Sequence, residues 1–323
     1  MTLPPPNGPV RVSVSMVTYR HAPFIAQAIE SVLMQKTTFP IELVVGEDCS
    51  PDATREIVRS YAAKHPDIIR PLLHEKNVGA AANLAAVKDA CRGEYVAVLE
   101  GDDYWTDPHK LQRQVEWLDT HPQSALCFHN AEILDQARGG ATRLYCEPGQ
   151  KELVTLDDLL AKNPVPTCAV MYRRTRFLTL PEQFKKLPMQ DWPSWILLAR
   201  TGPLGYLNFV GGCYRLHGSS AWSSKPVLDQ LRNILRMYEP LSELLGPAYA
   251  GRLLAARKTI QDWIVTTHAD AGQWPEARAA ALKYLDMPPR RFRPPPGRGM
   301  VYARLLLNLP SAVMREVARS GRS

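Results

Sequence analysis

Val98-Leu99-Glu100-Gly101-Asp102-Asp103-Tyr104-Trp105 gathers three carboxylates within four residues at the end of an apolar run. Three anions that close repel one another unless a cation stands among them, and Mg2+ or Mn2+ takes oxygen ligands of this kind. A cation so held can bridge a diphosphate and neutralise charge on a departing nucleotide. The alternative is a solvated acidic turn capping the next helix, which accounts for Asp107. Glu47-Asp48-Cys49-Ser50 is a second acidic pair. A carboxylate there can accept a hydrogen bond from the ring N–H of a base or from a ribose hydroxyl, whereas helix capping explains Ser50 but not both acids. In Gln190-Asp191-Trp192 an acid opens a helix, either as a catalytic base or as an N-cap beside a core tryptophan. Tyr214-Arg215-Leu216-His217-Gly218-Ser219-Ser220 sets His217 in a small-residue loop, where a histidine taken alone is more often neither ligand nor catalyst.

Such groups need a frame to bring them together. From Val10 to about Asn130, strand-like runs alternate with helical patterns. Val12 to Thr18, Ile41 to Gly46, Ile68 to Leu73, Tyr95 to Glu100 and Ala125 to His129 read as strands. Ala22 to Gln35, a segment opened by Ser50-Pro51-Asp52 with Ser50 as N-cap, Gly79 to Cys91, and a segment opened by Asp107-Pro108 read as helices. This order predicts βαβ units and an α/β, doubly wound, mainly parallel sheet with helices on both faces. Ligands of such sheets bind beyond the carboxyl ends of the strands. Thr18-Tyr19-Arg20, Glu47 to Ser50, Asn77 to Gly79 and Glu100 to Asp103 all fall there. Residues 131–224 are less regular, with a strand expected over Cys168 to Tyr172 and a helix near Trp192 to Arg200. Beyond Lys225 the pattern predicts a helical appendage of three segments, Val227 to Leu245, Ala248 to His268 and Trp274 to Leu285.

Composition excludes several classes. Of 323 residues, 45% are hydrophobic and 22% charged, which rules out wholesale disorder or a small disulfide scaffold. No run is long and apolar enough for a membrane-spanning helix, and MTLPPPNGPV lacks the pattern of a secretory signal. The six cysteines are scattered without a C-x-x-C pair, so reduced thiols in a cytoplasmic protein are expected rather than bridges or a thiolate metal site. From Met287 onward, eight arginines face the single acid Glu316, so the formal charge of +7 belongs entirely to the tail. A proline-arginine linker there precedes VYARLLLNLPSAVMREVARSG, a basic amphipathic stretch. It either lies on an anionic membrane surface, at the inner face of the membrane, or packs on the helical appendage. Without a reading motif, the arginines do not argue for a nucleic acid partner.

Six motifs in order, VSMVTYRHAPFIAQAIESVL, VVGEDCSPDAT, NVGAAANLA, VLEGDDYWTDPHKL, QDW and YRLHGSS, resemble glycosyltransferase family 2 with its GT-A nucleotide-sugar fold. The resemblance runs from Val12 to about Ser223. It implies a GT-A domain over 10–224, split at 130 into nucleotide-binding and acceptor halves, behind a flexible 1–9 and ahead of an appendage over 225–286 and a basic tail over 287–323. Thr18 and Tyr19 match nucleotide contacts, Glu47 and Asp48 the paired acids for base and ribose, and Asn77, Gly79 and Asn83 the segment that helps hold the nucleotide. Glu100-Gly101-Asp102 occupies the D-x-D position, with Asp102 as metal ligand and Asp103 beside the donor sugar. Asp191 matches the general base, and His217 a histidine that completes the metal shell in some members. Glu100 and Glu47 replace usual aspartates, and Cys49 a common glycine.

The implied activity is metal-dependent inverting transfer of a sugar from a nucleoside-diphosphate donor, UDP foremost. The acceptor would be a hydroxyl of a saccharide or lipid-linked saccharide in bacterial surface polysaccharide or glycoconjugate assembly. A pyrophosphorylase or a dehydrogenase is disfavoured because no glycine-rich loop follows the first strand. A non-catalytic carbohydrate- or nucleotide-binding protein that kept the fold is the rival of a different class. Retention of Asp102, Asp103 and Asp191 argues against it.

Overall fold

Val12–Thr18 (β1), Ile25–Leu33 (α1), Ile41–Glu47 (β2), Thr54–Lys64 (α2), Ile69–Leu73 (β3), Ala80–Ala90 (α3) and Tyr95–Glu100 (β4) alternate along the first hundred residues of the computed structural model. It describes residues 9–177, 180–187, 189–220 and 222–285, with 301 and 305 beyond. The four strands run parallel in the order β3-β2-β1-β4. β2 is buried along its whole length, and Val12, Val14 and Met16 of β1 are fully buried, as expected of strands covered on both faces. Ile25, Ala28, Ile29 and Val32, spaced for one face of α1, join the same core.

The second half of the sheet admits antiparallel strands. Tyr104–Trp105 (β5), Lys110–Thr120 (α4), Leu126–Asp135 (β6), Ala141–Leu144 (β7), Leu153–Val154 (β8), Leu156–Ala161 (α5) and Val170–Arg173 (β9) lead to Glu182–Lys185 (α6), Asp191–Ala199 (α7) and Leu204–Leu216 (β10). β9 inserts antiparallel between β4 and β6, β10 runs parallel to β6, and β5 pairs antiparallel with β10. The sheet is therefore mixed: β1 to β4, β6 and β10 share one direction, and β9 and β5 run against it. β10 was hidden in the irregular stretch because register shifts after Leu207 and Val210 interrupt its alternation. Gly205 within it lies against Trp117 of α4, where a Cβ would approach Cη2 to 1.9 Å.

Two helix starts differ from the sequence reading. Ser50 does not cap α2, which begins at Thr54 behind Ala53. Ser50 Oγ instead accepts the Arg20 N–H at 3.0 Å, and Asp52 Oδ1 accepts the Thr54 N–H at 3.1 Å. Asp191 is no N-cap either: Gln190 holds that position without a capping hydrogen bond from its side chain, and Asp191 is the first helical residue.

The described residues form two compact units, one running to Pro181 and resuming over Met189–Ser220, the other combining Glu182–Pro188 with the chain from Ala221. In the second unit, Val227–Leu245 (α8), Ala250–Asp270 (α9) and Trp274–Leu285 (α10) are helical, and the α9–α10 turn uses Gly272 at φ 72°. Gln261 Nε2 of α9 donates to the Ala280 carbonyl of α10 at 2.8 Å. Among the described residues no helix is long and apolar enough to cross a membrane. The arginine-rich linker and amphipathic tail expected over 287–323 lie outside the described residues, save 301 and 305.

Candidate active site

β1 and β4 pair in register up to Val17 and Glu100, so both strands end at the same edge and deliver Thr18 beside Gly101. The Gly101 N–H donates to the Val17 carbonyl at 3.0 Å. A Cβ at Gly101 would stand 2.8 Å from Thr18 Cβ and 2.9 Å from His21 Nδ1, so only glycine allows this approach. The turn that follows projects the acids. Oxygens of Glu100, Asp102 and Asp103 all lie within 4.8 Å of one another. Asp102 Oδ2 faces His217 Nε2 at 3.1 Å and His21 Nε2 at 3.7 Å. Asp103 is fully buried, and its Oδ1 accepts the Arg215 N–H at 2.8 Å.

The electrostatics divide the trio. Burial raises Glu100 to about 8, helped by the charges of Asp102 and Asp191. Burial, then Asp102 and Glu100, likewise lifts Asp103 well above the usual carboxylate range. Asp102 goes the other way: burial opposes its charge, but the hydrogen bond with His217 and the charge of His21 outweigh it. Asp102 Oδ1 and Asp103 Oδ2 are buried without a hydrogen-bond partner. The buried guanidinium of Arg215 does not fill that need. It donates to the Asp102 carbonyl at 2.6 Å and to Gln27 Oε1, and lies over Tyr104 and Phe24. Two orphaned carboxylate oxygens in an all-oxygen trio fit a hard divalent cation, with Asp102, Asp103 and Glu100 as its ligands. His217, whose Nδ1 lies 2.9 Å from Ser219 Oγ, borders that position through Asp102.

The expected nucleotide side assembles along the neighbouring strand ends, and much of its polarity is spent within the protein. Glu47 is fully buried; its Oε1 accepts the Ser50 N–H at 2.6 Å and its Oε2 pairs with Arg55 Nε at 2.5 Å. Asp48 accepts the N–H groups of Val78 and Gly79 at 2.7 and 2.9 Å, while Asn77 Nδ2 donates to the Asp48 carbonyl at 3.1 Å. Asn83 Nδ2 donates to the Gly46 carbonyl at 2.9 Å and its Oδ1 meets His74 Nε2 at 3.1 Å. These side chains fasten the loops after β2 and β3. Tyr19 and Val78 remain exposed on the rim, and Thr18 Oγ1 is buried without a partner. Arg20 and Cys49 hold φ values of 59° and 56°, a left-handed strain of about 1–3 kcal/mol each.

Asp191 reaches the same region from α7. Burial raises its carboxyl, against the N–H of Trp192 and the hydroxyl of Thr167, which favour the anion. It is near enough to Glu100 for its charge to be felt there. Thr18, Glu100, Asp102, Asp103, Asp191 and His217 therefore belong to one unit of the fold, although 191 and 217 are far from the others in sequence. Sequence reasoning missed His21 and Arg215. The signal for His21 was its place directly after the β1 exit, and for Arg215 its place two residues before His217.

Comparison with known proteins adds to this geometry. The model of "Glycosyl transferase family 2" matches residues 13–176. An uncharacterised protein of Mycobacterium tuberculosis is 35% identical over 214 residues, 66% of this chain and 61% of the relative, so this chain spans less than two thirds of that relative's length. TuaG of Bacillus subtilis, whose name assigns it to teichuronic acid biosynthesis as a glycosyltransferase, is 30% identical over 217 residues, 66% of this chain and 82% of TuaG. The solved mannosyltransferase of Pyrobaculum calidifontis, in complex with GDP-Man and Mn2+, superimposes with a TM-score of 0.58 over 99% of this chain and 87% of that one, at 17% identity. At that identity the likeness concerns the fold.

Proposed function

The chain belongs to glycosyltransferase family 2, and on that premise we propose that it transfers a sugar from a nucleoside-diphosphate donor, UDP foremost, to an acceptor hydroxyl with inversion. The observation that carries this reading is the convergence of an under-coordinated acidic trio and the acid Asp191 on one sheet edge. A divalent cation held by Asp102, Asp103 and Glu100 would offset negative charge on the leaving diphosphate. The hydrogen bond with His217 helps keep Asp102 ionised for that task. Tyr19, Thr18 and Val78 offer the donor's nucleotide an exposed ring, a free hydroxyl and an apolar edge. Glu47, Asp48, Asn77, Gly79 and Asn83 shape its pocket by holding the loops. Asp191 takes the proton of the acceptor hydroxyl as that oxygen attacks the anomeric carbon from the face opposite the leaving group. The acceptor is a saccharide or lipid-linked saccharide, and the family relative named for teichuronic acid biosynthesis supports a role in surface-polysaccharide assembly.

The test is release of nucleoside diphosphate from UDP-, GDP-, CDP- and dTDP-sugars, with Mn2+ and with EDTA. One donor turning over only with metal is expected. Asp191→Asn should lower turnover by about 10²–10⁴-fold with donor affinity retained. Near-normal turnover in that variant overturns the assignment of the base.

A further inference from the structure

Asp191 is the first residue of its helix, and within that helix the N–H of Trp192 favours its anion. A second hold comes from another segment. Thr167 opens the short 3-10 turn Thr167–Ala169 ahead of β9, and its Oγ1 donates to Asp191 Oδ2 at 3.2 Å. A three-residue turn has little stiffness of its own, yet this one is clamped. Trp105 Nε1 donates to the Cys168 carbonyl at 2.7 Å from a fully enclosed position. Trp105 is itself held on two sides: β5 pairs it with Gly212 of β10, and Lys110 Nζ lies 3.6 Å from the centroid of its ring. Trp105 follows the acidic trio by two residues. A continuous set of contacts thus runs from β5, which follows the turn that carries Asp102 and Asp103, through one indole and one 3-10 turn, to the carboxylate on α7.

Resting on the reading of Asp191 as the base, we propose that Thr167 is a positioning residue. Its hydroxyl fixes the rotation of the Asp191 carboxylate and favours the anion, and Trp105 locks the turn that presents it. A carboxylate held by a hydroxyl donor has one preferred orientation, which is what attack along a single line demands. The other titratable groups that face Asp191 are Glu100 at the end of β4 and Tyr145 after β7. The charge of Asp191 is felt at both.

The experiment uses the full chain and two readouts. The first needs no substrate: aspartate labelled with 13C at the side-chain carboxyl carbon, with the Asp191 resonance assigned by its loss in Asp191→Asn, gives the titration of that carboxyl directly. Thr167→Val, which keeps the shape and removes the hydroxyl, should move it to higher pH, and Thr167→Ser should return it. Trp105→Phe, which keeps a ring but removes the indole N–H, should move it in the same direction by less. The second readout is nucleoside-diphosphate release from the donors named above. Thr167→Val should lower kcat by about 10-fold or more, the scale of one hydrogen bond to a charged group, with KM for donor unchanged. An unmoved Asp191 titration in Thr167→Val overturns the proposal. So does a Thr167→Ser chain as impaired as Thr167→Val, because packing alone would then explain both. Failure of the underlying reading looks different: Asp191→Asn would stay active whatever Thr167 does.

Discussion

Asp191 carries a conflict between function and stability in one side chain. Burial raises its carboxyl from the usual aspartate value, so the unfolded chain releases that proton at lower pH than the fold does. Between those two values the folded state binds more protons, and stability contributed at this site falls as pH rises. Asp191→Asn should therefore melt at a higher temperature than the native chain at pH 7, with the difference gone below about pH 3. A native chain that melts higher at pH 7 would show the buried charge to be fully compensated. The same shift sets the sign of the rate profile. Because the base works as the anion, kcat should climb through a limb above the usual carboxylate value of about 3.9.

Between elements, the decisive contact is the junction of β1 and β4. Their parallel register ends at Val17 and Glu100, and Gly101 lets the next turn fold directly over Thr18 and His21. Gly101→Ala would press a methyl against Thr18 Cβ, an atom fixed to the backbone and unable to rotate away. The expected cost is about 1–3 kcal/mol of stability, seen as a lower Tm, with loss of metal-dependent donor binding because Asp102 shifts with the turn. A Gly101→Ala chain with native Tm and donor affinity would show that the turn is free to move. The loops after β2 and β3 work similarly. Glu47, Asp48 and Asn83 were read from the sequence as groups facing the nucleotide, and the fold uses their carboxylates and amide to tie backbone N–H groups, Arg55 and the Gly46 carbonyl.

For the molecule as a whole, a donor that binds only the folded chain must raise its melting point by an amount set by concentration over Kd. The effect is about 2.7 kcal/mol at one hundred times Kd. With Mn2+ present, one nucleotide sugar should shift Tm and the others should not, and EDTA or Asp102→Asn should abolish the shift. No shift from any donor in either condition would favour a fold kept for binding carbohydrate without catalysis.

Periodicity alone located most of the architecture. The runs Val12–Thr18, Tyr95–Glu100, Val227–Leu245 and Trp274–Leu285 coincide with the observed elements because burial on two faces, or on one helical stripe, writes itself into the order of apolar residues. The acids at strand ends were legible too, since charge following an apolar strand has few purpose-free explanations. What only tertiary structure decided depends on pairs remote in sequence. The bulged strand Leu204–Leu216 shows no clean alternation, so its pairing with β6 emerges only in space. Which carboxylates are spent on the protein and which are left without partners depends on Arg55, Arg215, His21 and His217 arriving from other elements. The bond from Thr167 to Asp191 spans 24 residues and follows no period, because hydrogen bonds between loops are set by where the sheet leaves the chain.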